Sequence, residues 1–159
     1  MAQTGGFTPK KALAPKENAK LATVGKNYFI YINTGTDEDT GAEWTKLGGQ
    51  RGGDLSRKAD TIDASNKDSG GWKTTLQGLK EWSIDLDTLV MTNDEGMKAL
   101  EDAFLKDQLV NLKFEYADKS YVTGWASITE MSVSAPHDDV ATYKGTLSGA
   151  GPLSERKKV

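Results

Sequence analysis

The sequence contains no cysteine and only one histidine, His137, among its 159 residues. The lack of cysteine excludes disulfides, cysteine-ligated zinc, iron–sulfur clusters and thiol catalysis. A single histidine excludes metal sites built on several histidines, including the H-E-x-x-H arrangement of metalloproteases. The longest unbroken apolar run covers only residues 28–32, whereas a membrane-spanning helix needs about 20 residues. The sequence therefore predicts no cofactor, no metal centre and no membrane partner.

The net charge of −3 conceals an uneven distribution. Residues 1–26 carry five lysines and one acid, and residues 154–159 carry three basic residues and one acid. Residues 27–153 carry 21 acidic and 12 basic side chains, which argues against ordinary sequence-independent DNA binding because that needs a basic face. The length suits one domain with one core. We therefore expect a basic arm over residues 1–22, a folded body over 23–153 and a basic tail over 154–159.

Apolar and polar residues alternate over residues 82–87 and 110–116, the period of two that predicts half-buried strands. The strand predicted over residues 120–134 changes its apolar phase midway, which indicates a β-bulge. Residues 94–109 instead place apolar side chains at helical spacing, and either Asn93 or Asp94 can cap the start of this helix. Further strands are predicted over residues 26–33, 43–47, 72–76 and 141–147. These patterns predict a mainly β fold, an antiparallel sandwich or barrel with one flanking helix, an extended loop and an N-terminal arm.

Two segments of the body are predicted to be loops. Residues 48–53, GGQRGG, are rich in glycine, which is typical of a break between strands. Residues 54–70 are polar and poor in large apolar side chains, so we expect them to lie outside the core. Long ordered loops in compact domains usually have a function.

The familiar catalytic and ion-binding motifs are incomplete. His137 shares one predicted turn with neighbouring acids and lacks a G-x-S-x-G elbow. The acidic segment 37–43 begins like an EF-hand loop, but Ala42 and Gly48 stand where that loop needs glycine and a bidentate glutamate. No glycine-rich segment has the strand–loop–helix context of a phosphate site. The motifs thus favour no reaction.

Asp85 and Asp87 stand two residues apart on a predicted strand, which places both carboxylates on one face. The simplest interpretation is the wet face of an amphipathic strand. A glycosidase needs such a pair across a cleft, so a hydrolase stays open as an alternative.

The four tryptophans each fall within a predicted strand. This placement favours packing in the core or at a subunit interface over a platform for stacking a ligand, although the platform stays open. They are Trp44, Trp72, Trp82 and Trp125.

Residues 58–72, KADTIDASNKDSGGW, resemble the hallmark segment of phage major tail proteins, which form the tail tube of long-tailed, non-contractile bacteriophages. Residues 79–87, 121–126 and 143–149 are similar to the same family, and the resemblance covers about residues 24–153. It implies a β-sandwich or barrel with a flanking helix, assembled as hexameric rings that stack into a tube for genome delivery. A type VI-like secretion tube, which is similar in fold, and a carbohydrate-binding β-sandwich are the alternatives.

The resemblance also implies partners, whereas the interface and channel residues named below are hypotheses from charge, and no motif predicts an enzyme. The chain would bind itself, the tape-measure protein, the tail terminator and distal tail proteins in the virion tail, after assembly in the host cytoplasm. Genomic DNA would pass without specific binding, and a negative wall that repels phosphates would allow this, with Asp85 and Asp87 as candidates for the lining. Charged residues in the predicted loops and in the basic arm are expected at subunit or ring interfaces: Arg51, Arg57, Lys58, Asp60, Asp63, Lys67, Asp68, Lys10 and Lys11.

Overall fold

The computed structural model describes residues 22–158. Short 3₁₀ turns cover Gly25–Asn27 and Lys67–Ser69. The strands and the helix are β1 (Phe29–Asn33), β2 (Trp44–Lys46), β3 (Gln50–Asp63), β4 (Thr75–Leu89), α1 (Glu95–Leu105), β5 (Val110–Glu115), β6 (Tyr121–Ser134) and β7 (Thr142–Leu153). Lys10 and Lys11 lie outside the described residues.

All seven strands form one antiparallel sheet in the order β2-β1-β5-β6-β7-β4-β3. The sheet has two halves, β2-β1-β5-β6 and β6-β7-β4-β3, which share strand β6. The first part of β6 pairs with β5 up to Ala126, and the rest pairs only with β7. The register of β6 on β7 shifts after Gly124 and after Ile128, which confirms the predicted bulge. The mainly β antiparallel architecture with one flanking helix is confirmed.

The sheet folds over a core to which both halves contribute. Ile30 and Leu112 come from the β2-β1-β5-β6 half, whereas Ile84 and Leu147 come from the β6-β7-β4-β3 half, and each is 1% exposed. A Cβ on Gly53 would stand 2.6 Å from Cδ1 of Ile30, so the two halves touch directly at this point. The non-core faces of the two halves therefore point in opposite directions.

Gln50 joins the two ends of the folded sheet. Its Oε1 accepts a hydrogen bond from the backbone N–H of Ile30 at 2.9 Å, and its Nε2 donates to the carbonyls of Ile30 at 2.9 Å and Leu47 at 2.7 Å. The side-chain amide thus replaces a strand pairing between β1 and the start of β3. The prediction that residues 48–53 are a break between strands is wrong from Gln50 onward, because β3 begins there.

The helix begins where its cap predicts and ends before the predicted boundary. The carboxylate of Asp94 accepts from the backbone N–H groups of Gly96 at 3.2 Å and of Gly48 at 2.9 Å, so it caps α1 and ties it to the β2–β3 turn. Met97 and Leu100 are buried on the core side. The helix ends at Leu105, short of the predicted residue 109.

The prediction of a long loop over residues 54–70 is wrong for most of that segment. Residues up to Asp63 belong to β3, which pairs with β4 from Gln50↔Thr88 to Asp63↔Thr75. A polar sequence forms a strand here because its backbone groups pair with β4. Only the start of β3 contacts the core, through Gly53 and Leu55, and no residue over 57–63 is buried. The strand predicted over residues 72–76 is wrong for its first part, since β4 begins at Thr75.

Replacing Thr88 with valine is expected to raise the free energy of unfolding by about 1 kcal/mol. Thr88 is 0% exposed, and its Oγ1 has no hydrogen-bond partner within residues 22–158. Valine keeps the branched shape and removes the cost of a buried, unpaired hydroxyl. Urea unfolding of the two proteins checks this, and a loss of stability would show that the hydroxyl has a partner.

Candidate assembly surfaces

A long hairpin extends beyond the folded sheet. Strand β7 pairs with β4 only between Ser83 and Leu89, so residues 75–82 of β4 pair only with β3. Between residues 57 and 81 every side chain is exposed or half-buried. A two-stranded ribbon with no covered face is marginally stable in water. The segment over residues 57–81, called the hairpin below, thus presents both of its faces for contact with another molecule.

The tip of the hairpin is built by short-range hydrogen bonds. The side chain of Asn66 accepts from the backbone N–H of Asp68 at 2.8 Å, and the backbone N–H of Asn66 donates to Oγ of Ser69 at 3.0 Å. Gly70 and Gly71 then adopt φ angles of 60° and 82°, which glycine adopts without a steric penalty. The tip is therefore an ordered turn that positions Trp72 at its end.

The hairpin exposes large apolar side chains, of which only Trp72 was expected from the sequence to lie in the core or at a subunit interface. Leu79 is 82% exposed, Trp72 81%, Leu76 57% and Ile62 53%. A cluster of exposed apolar groups of this kind is typical of a protein interface. Apolar residues inside an otherwise polar segment were the sequence signal for this interface. The same signal also fits a core strand, and only the projection of the ribbon from the body separates the two.

The charged residues predicted for interfaces are divided by the structure. Arg57, Lys58, Asp60 and Asp63 lie on β3 within the hairpin, Lys67 and Asp68 lie at its tip, and Arg51 lies at the opposite end of β3. None of the seven forms an ion pair with another residue in the described part of the chain. Their charges are thus available to a partner.

Two of these charges make hydrogen bonds within the chain. Nη2 of Arg57 donates to the phenol oxygen of Tyr116 at 3.1 Å, which holds the base of the hairpin against the body. The hydroxyl and the backbone N–H of Ser65 lower the pKa of the Asp63 carboxyl. That carboxyl therefore keeps its negative charge to a lower pH than an ordinary aspartate.

Asp85 and Asp87 lie together on the non-core face of β4, where they alternate with the buried Ile84, Leu86 and Thr88. Asp85 accepts a hydrogen bond from Oγ1 of Thr146 at 3.1 Å, and the Oδ1 atom of Asp87 is buried without a partner among the described residues. The pair sits on an open sheet surface flanked by neighbouring strands, which differs from the cleft that a glycosidase requires.

The face that carries this pair is polar throughout the β6-β7-β4-β3 half. Asp54 lies opposite Asp85 on β3, Lys144 lies opposite Asp87 on β7, and Glu130 lies opposite Thr146 on β6. Four acids and one base thus share this surface, called the polar face below. It comprises Asp54, Ser56, Ser83, Asp85, Asp87, Glu130, Ser132, Lys144, Thr146 and Ser148.

The same half of the sheet has two strand edges without a partner in residues 22–158. One is the outer edge of β3, and the other is the edge of β6 over residues 127–134, beyond the last pairing with β5 at Val110↔Ala126. Such edges present unpaired N–H and C=O groups that can pair with another chain. They stand at opposite sides of the polar face.

The C-terminal residues are bound to the body instead of forming a free tail. Tyr121 and Lys157 exchange two backbone hydrogen bonds of 2.8 Å. The guanidinium of Arg156 lies 3.8 Å from the ring centroid of Tyr116, and its Nε donates to Oγ of Ser120 at 2.7 Å. Ser120 also lowers the pKa of the Asp118 carboxyl through its hydroxyl and its backbone N–H, and Arg156 contributes. The charge of Arg156 is thus engaged within the chain.

The part of the chain that the structure describes contains neither a cluster of metal-binding side chains nor a membrane-spanning helix. No group of three or more aspartate, glutamate or histidine side chains has the arrangement of a metal site over residues 22–158. No helix in this range is both long and apolar enough to span a bilayer.

Comparison with known proteins gives a consistent result. Residues 22–155 match a family model described as phage tail tube protein. The fold is similar to the tail of an empty gene transfer agent (GTA) particle refined with C6 symmetry, with a TM-score of 0.73 and 25% identity over 84% of this chain and 98% of that one. No curated protein sequence matches the chain.

Two further solved structures share the fold. The chain from a virion of a native gene transfer agent particle has a TM-score of 0.70 and 24% identity, over 84% of this chain and 98% of that one. The SPP1 tail tube has a TM-score of 0.67 and 14% identity, over 87% of this chain and 81% of that one.

Proposed function

Because the chain belongs to the phage tail tube protein family and is a structural subunit of a tail tube, we propose that six copies form a ring and that stacked rings form the conduit for genome delivery. The match over residues 22–155 carries this proposal. The number of subunits follows from the gene transfer agent tail, which was refined with C6 symmetry. The free strand edges, the polar face and the hairpin support the more detailed assignments that follow.

The ring closes by strand pairing between neighbours. The free edge of β6 over residues 127–134 pairs with the outer edge of β3 in the next subunit, so the polar faces join into one continuous surface. Because two different edges meet, the contact is head-to-tail and generates a closed ring when the rotation returns to its start. Each subunit thereby covers both unpaired edges of the β6-β7-β4-β3 half.

Cross-linking tests this edge pairing, and the lack of native cysteine makes the test clean. Ser56 on β3 and Ser132 on β6 both lie on the polar face. A double variant S56C/S132C treated with a short bismaleimide is expected to give a ladder on a denaturing gel that stops at the hexamer. Each single variant is the matched control and should give no ladder. A ladder from a single variant, or none from the double variant, would contradict the pairing.

The polar face lines the channel. Asp85 and Asp87 are among its four acids, against one base, and a negative surface repels the phosphates of DNA, so that the genome passes without being held. The channel wall thus carries part of the acidic excess of the body, three net negative charges in each subunit. A helical reconstruction of the tube that showed a net positive lining would contradict the assignment.

The hairpin contacts the neighbouring ring. Its exposed apolar residues supply buried area, and its unpaired charges supply complementarity: Arg57, Lys58, Asp60, Asp63, Lys67 and Asp68. Arg51 lies at the far end of β3 and belongs to the contact between neighbours within a ring. Lys10 and Lys11 of the basic arm bind the acidic body of an adjacent subunit.

High salt is expected to slow tube growth if the basic arm binds the acidic body. At about 1 M salt the Debye length falls to about 3 Å, which screens exposed ion pairs. Tube yield by sedimentation should therefore fall between low and high salt for the natural chain. The variant Lys10→Glu/Lys11→Glu should grow poorly at both, with a weaker dependence on salt. Equal yields of the natural chain at all salt concentrations would disprove the arm contact.

The remaining partners follow from this position in the particle. The tube is built around a tape-measure protein, meets a tail terminator and distal tail proteins at its ends, and assembles in the host cytoplasm before it joins the virion. Negative-stain microscopy of the concentrated protein tests the central claim. Rings or tubes are expected, and a protein that stays monomeric at every concentration and salt condition would overturn it.

A further inference from the structure

A groove of about 590 Å³ lies on the non-core face of the other half of the sheet, away from the polar face. Its walls are the β1–β2 loop on one side and the C-terminal segment on the other. Its floor carries three aromatic side chains, Trp44, Tyr121 and Trp125. The volume is in the range of small-molecule sites, which are about 300–1,000 Å³.

The aromatic side chains are held in place by contacts within the chain. The ammonium of Lys113 lies 4.4 Å from the ring centroid of Tyr31 and 5.3 Å from those of Trp44 and Tyr121, which fixes these rings by cation–π attraction. The indole N–H of Trp125 donates to a carboxylate oxygen of Glu38 in the β1–β2 loop. Trp125 is nevertheless 38% exposed, so its ring is oriented and accessible.

The side chain of Asn111 lies at the floor of this groove. Asn111 is only 5% exposed, lies opposite Trp125 in the β5–β6 register and lines the groove. No hydrogen bond joins its side-chain amide to any other residue in the range 22–158. Because the amide lines the groove and is not engaged by these residues, it is available to a ligand that reaches the floor.

We propose that this groove binds a saccharide, either neutral or carrying an amino group. A pyranose ring presents apolar C–H groups to an aromatic face and hydroxyl groups to its edge, and the groove offers both partners. Trp44 and Trp125 supply the faces, the Asn111 amide and the Glu38 carboxylate supply hydrogen bonds, and Asp39 lies beside them. The lining carries two acids, Glu38 and Asp39, against one base, Lys157, so nucleic acids and acidic sugars are disfavoured.

The position of the groove makes it usable in an assembled tube. Its floor faces away from the core on the side opposite Asp85, so a tube with the polar face inward carries the groove on its outer surface. Many identical grooves then repeat along the tube, and weak binding at each one adds up through avidity. The binding itself is a property of the single subunit and does not depend on assembly.

Saturation-transfer NMR and calorimetry with the full-length protein test the proposal. The probes are maltotriose and triacetylchitotriose as neutral sugars, chitosan trimer as a cationic sugar and sialyllactose as an acidic one. Saturable binding of at least one neutral or cationic trisaccharide is expected, with sialyllactose weaker. Trp125→Ala should weaken that binding by about tenfold, since one stacking contact is lost.

Control variants separate binding from folding. Phe104→Ala removes an aromatic ring of similar exposure, 44%, from the end of α1 outside the groove, and it should bind like the natural chain. Asn111→Ala should weaken binding, and Trp125→Phe should keep most of it. Circular dichroism checks that each variant is folded.

Three outcomes would overturn the proposal. The first is no saturable binding of any of the probes by the natural chain, and the second is binding that Trp125→Ala leaves unchanged. The third is a synthetic peptide of residues 1–21 binding to the groove while all the sugars fail, which would make it a site for the basic arm of another copy. Tube formation, scored separately by microscopy, reports on the proposed structural function whichever result is obtained.

Discussion

Replacing Trp82 with alanine is expected to lower the free energy of unfolding by about 3–5 kcal/mol. The indole is 6% exposed, and its Nε1 donates to the carbonyl of Gly151 at 3.0 Å. Gly124 and Gly149 form the slot around the ring, because a Cβ on Gly124 would stand 2.7 Å from Cζ2 and a Cβ on Gly149 would collide with Nε1. Alanine would leave a cavity that two glycines cannot fill.

Trp72 is the matched control for this prediction. It is 81% exposed at the tip of the hairpin, so Trp72→Ala should change the stability of the unassembled subunit by no more than about 0.5 kcal/mol. Denaturant unfolding followed by far-UV circular dichroism, at protein concentrations below assembly, measures both variants. Equal losses for the two tryptophans would show that the hairpin tip is packed against the body in solution.

Leu79→Asp is expected to abolish tube formation while leaving the subunit folded. Leu79 is 82% exposed on the hairpin, and burying a leucine at an interface contributes about 1.5–3 kcal/mol. The variant loses that contribution and places a carboxylate at the contact, and the loss recurs at every subunit of each ring. Negative-stain microscopy and sedimentation of concentrated protein measure the result.

Leu105→Asp provides the comparison, because Leu105 is 78% exposed at the end of α1. The same change of chemistry at nearly the same exposure should leave tube yield unaltered. Tubes from Leu79→Asp at the natural yield would be evidence against the hairpin contact. Loss of tubes from both variants would mean that general solubility, and not the hairpin, decides assembly.

The two non-core faces of the sheet have different chemistry. The polar face carries short hydroxyl and carboxylate side chains around Asp85, whereas the opposite face carries aromatic rings around Trp125. A folded antiparallel sheet can present two such faces because side chains alternate along each strand. One face is suited to a channel that must not bind its contents, and the other is suited to recognition.

Periodicity was sufficient for the main strands and the helix. The alternation over residues 82–87 identified β4, and the phase change within β6 identified its bulge. The helix was placed by apolar spacing, and of the two candidate caps, Asn93 and Asp94, the structure shows Asp94. These features depend on local physics, since each strand or helix buries one face and the buried positions repeat with its period.

Residues 50–63 show where this reasoning failed. Their sequence is polar and rich in glycine, so periodicity predicts a loop, yet they form the longest pairing of the sheet with β4. Backbone hydrogen bonds to a partner strand stabilise this segment, and side-chain periodicity does not predict such bonds. The second half of this segment, residues 57–63, belongs to the hairpin to which we assign the contact between rings, where burial is completed by another molecule.

The sequence by itself determined the strand and helix periods, the absence of cysteine chemistry and the concentration of acid in the body. Only the tertiary structure decided which surfaces those residues form. It placed Asp54 beside Asp85, brought Asn111 under Trp125 and bound Arg156 to Tyr116. These contacts join residues far apart in the chain, and they depend on strand order and register, which local patterns do not specify.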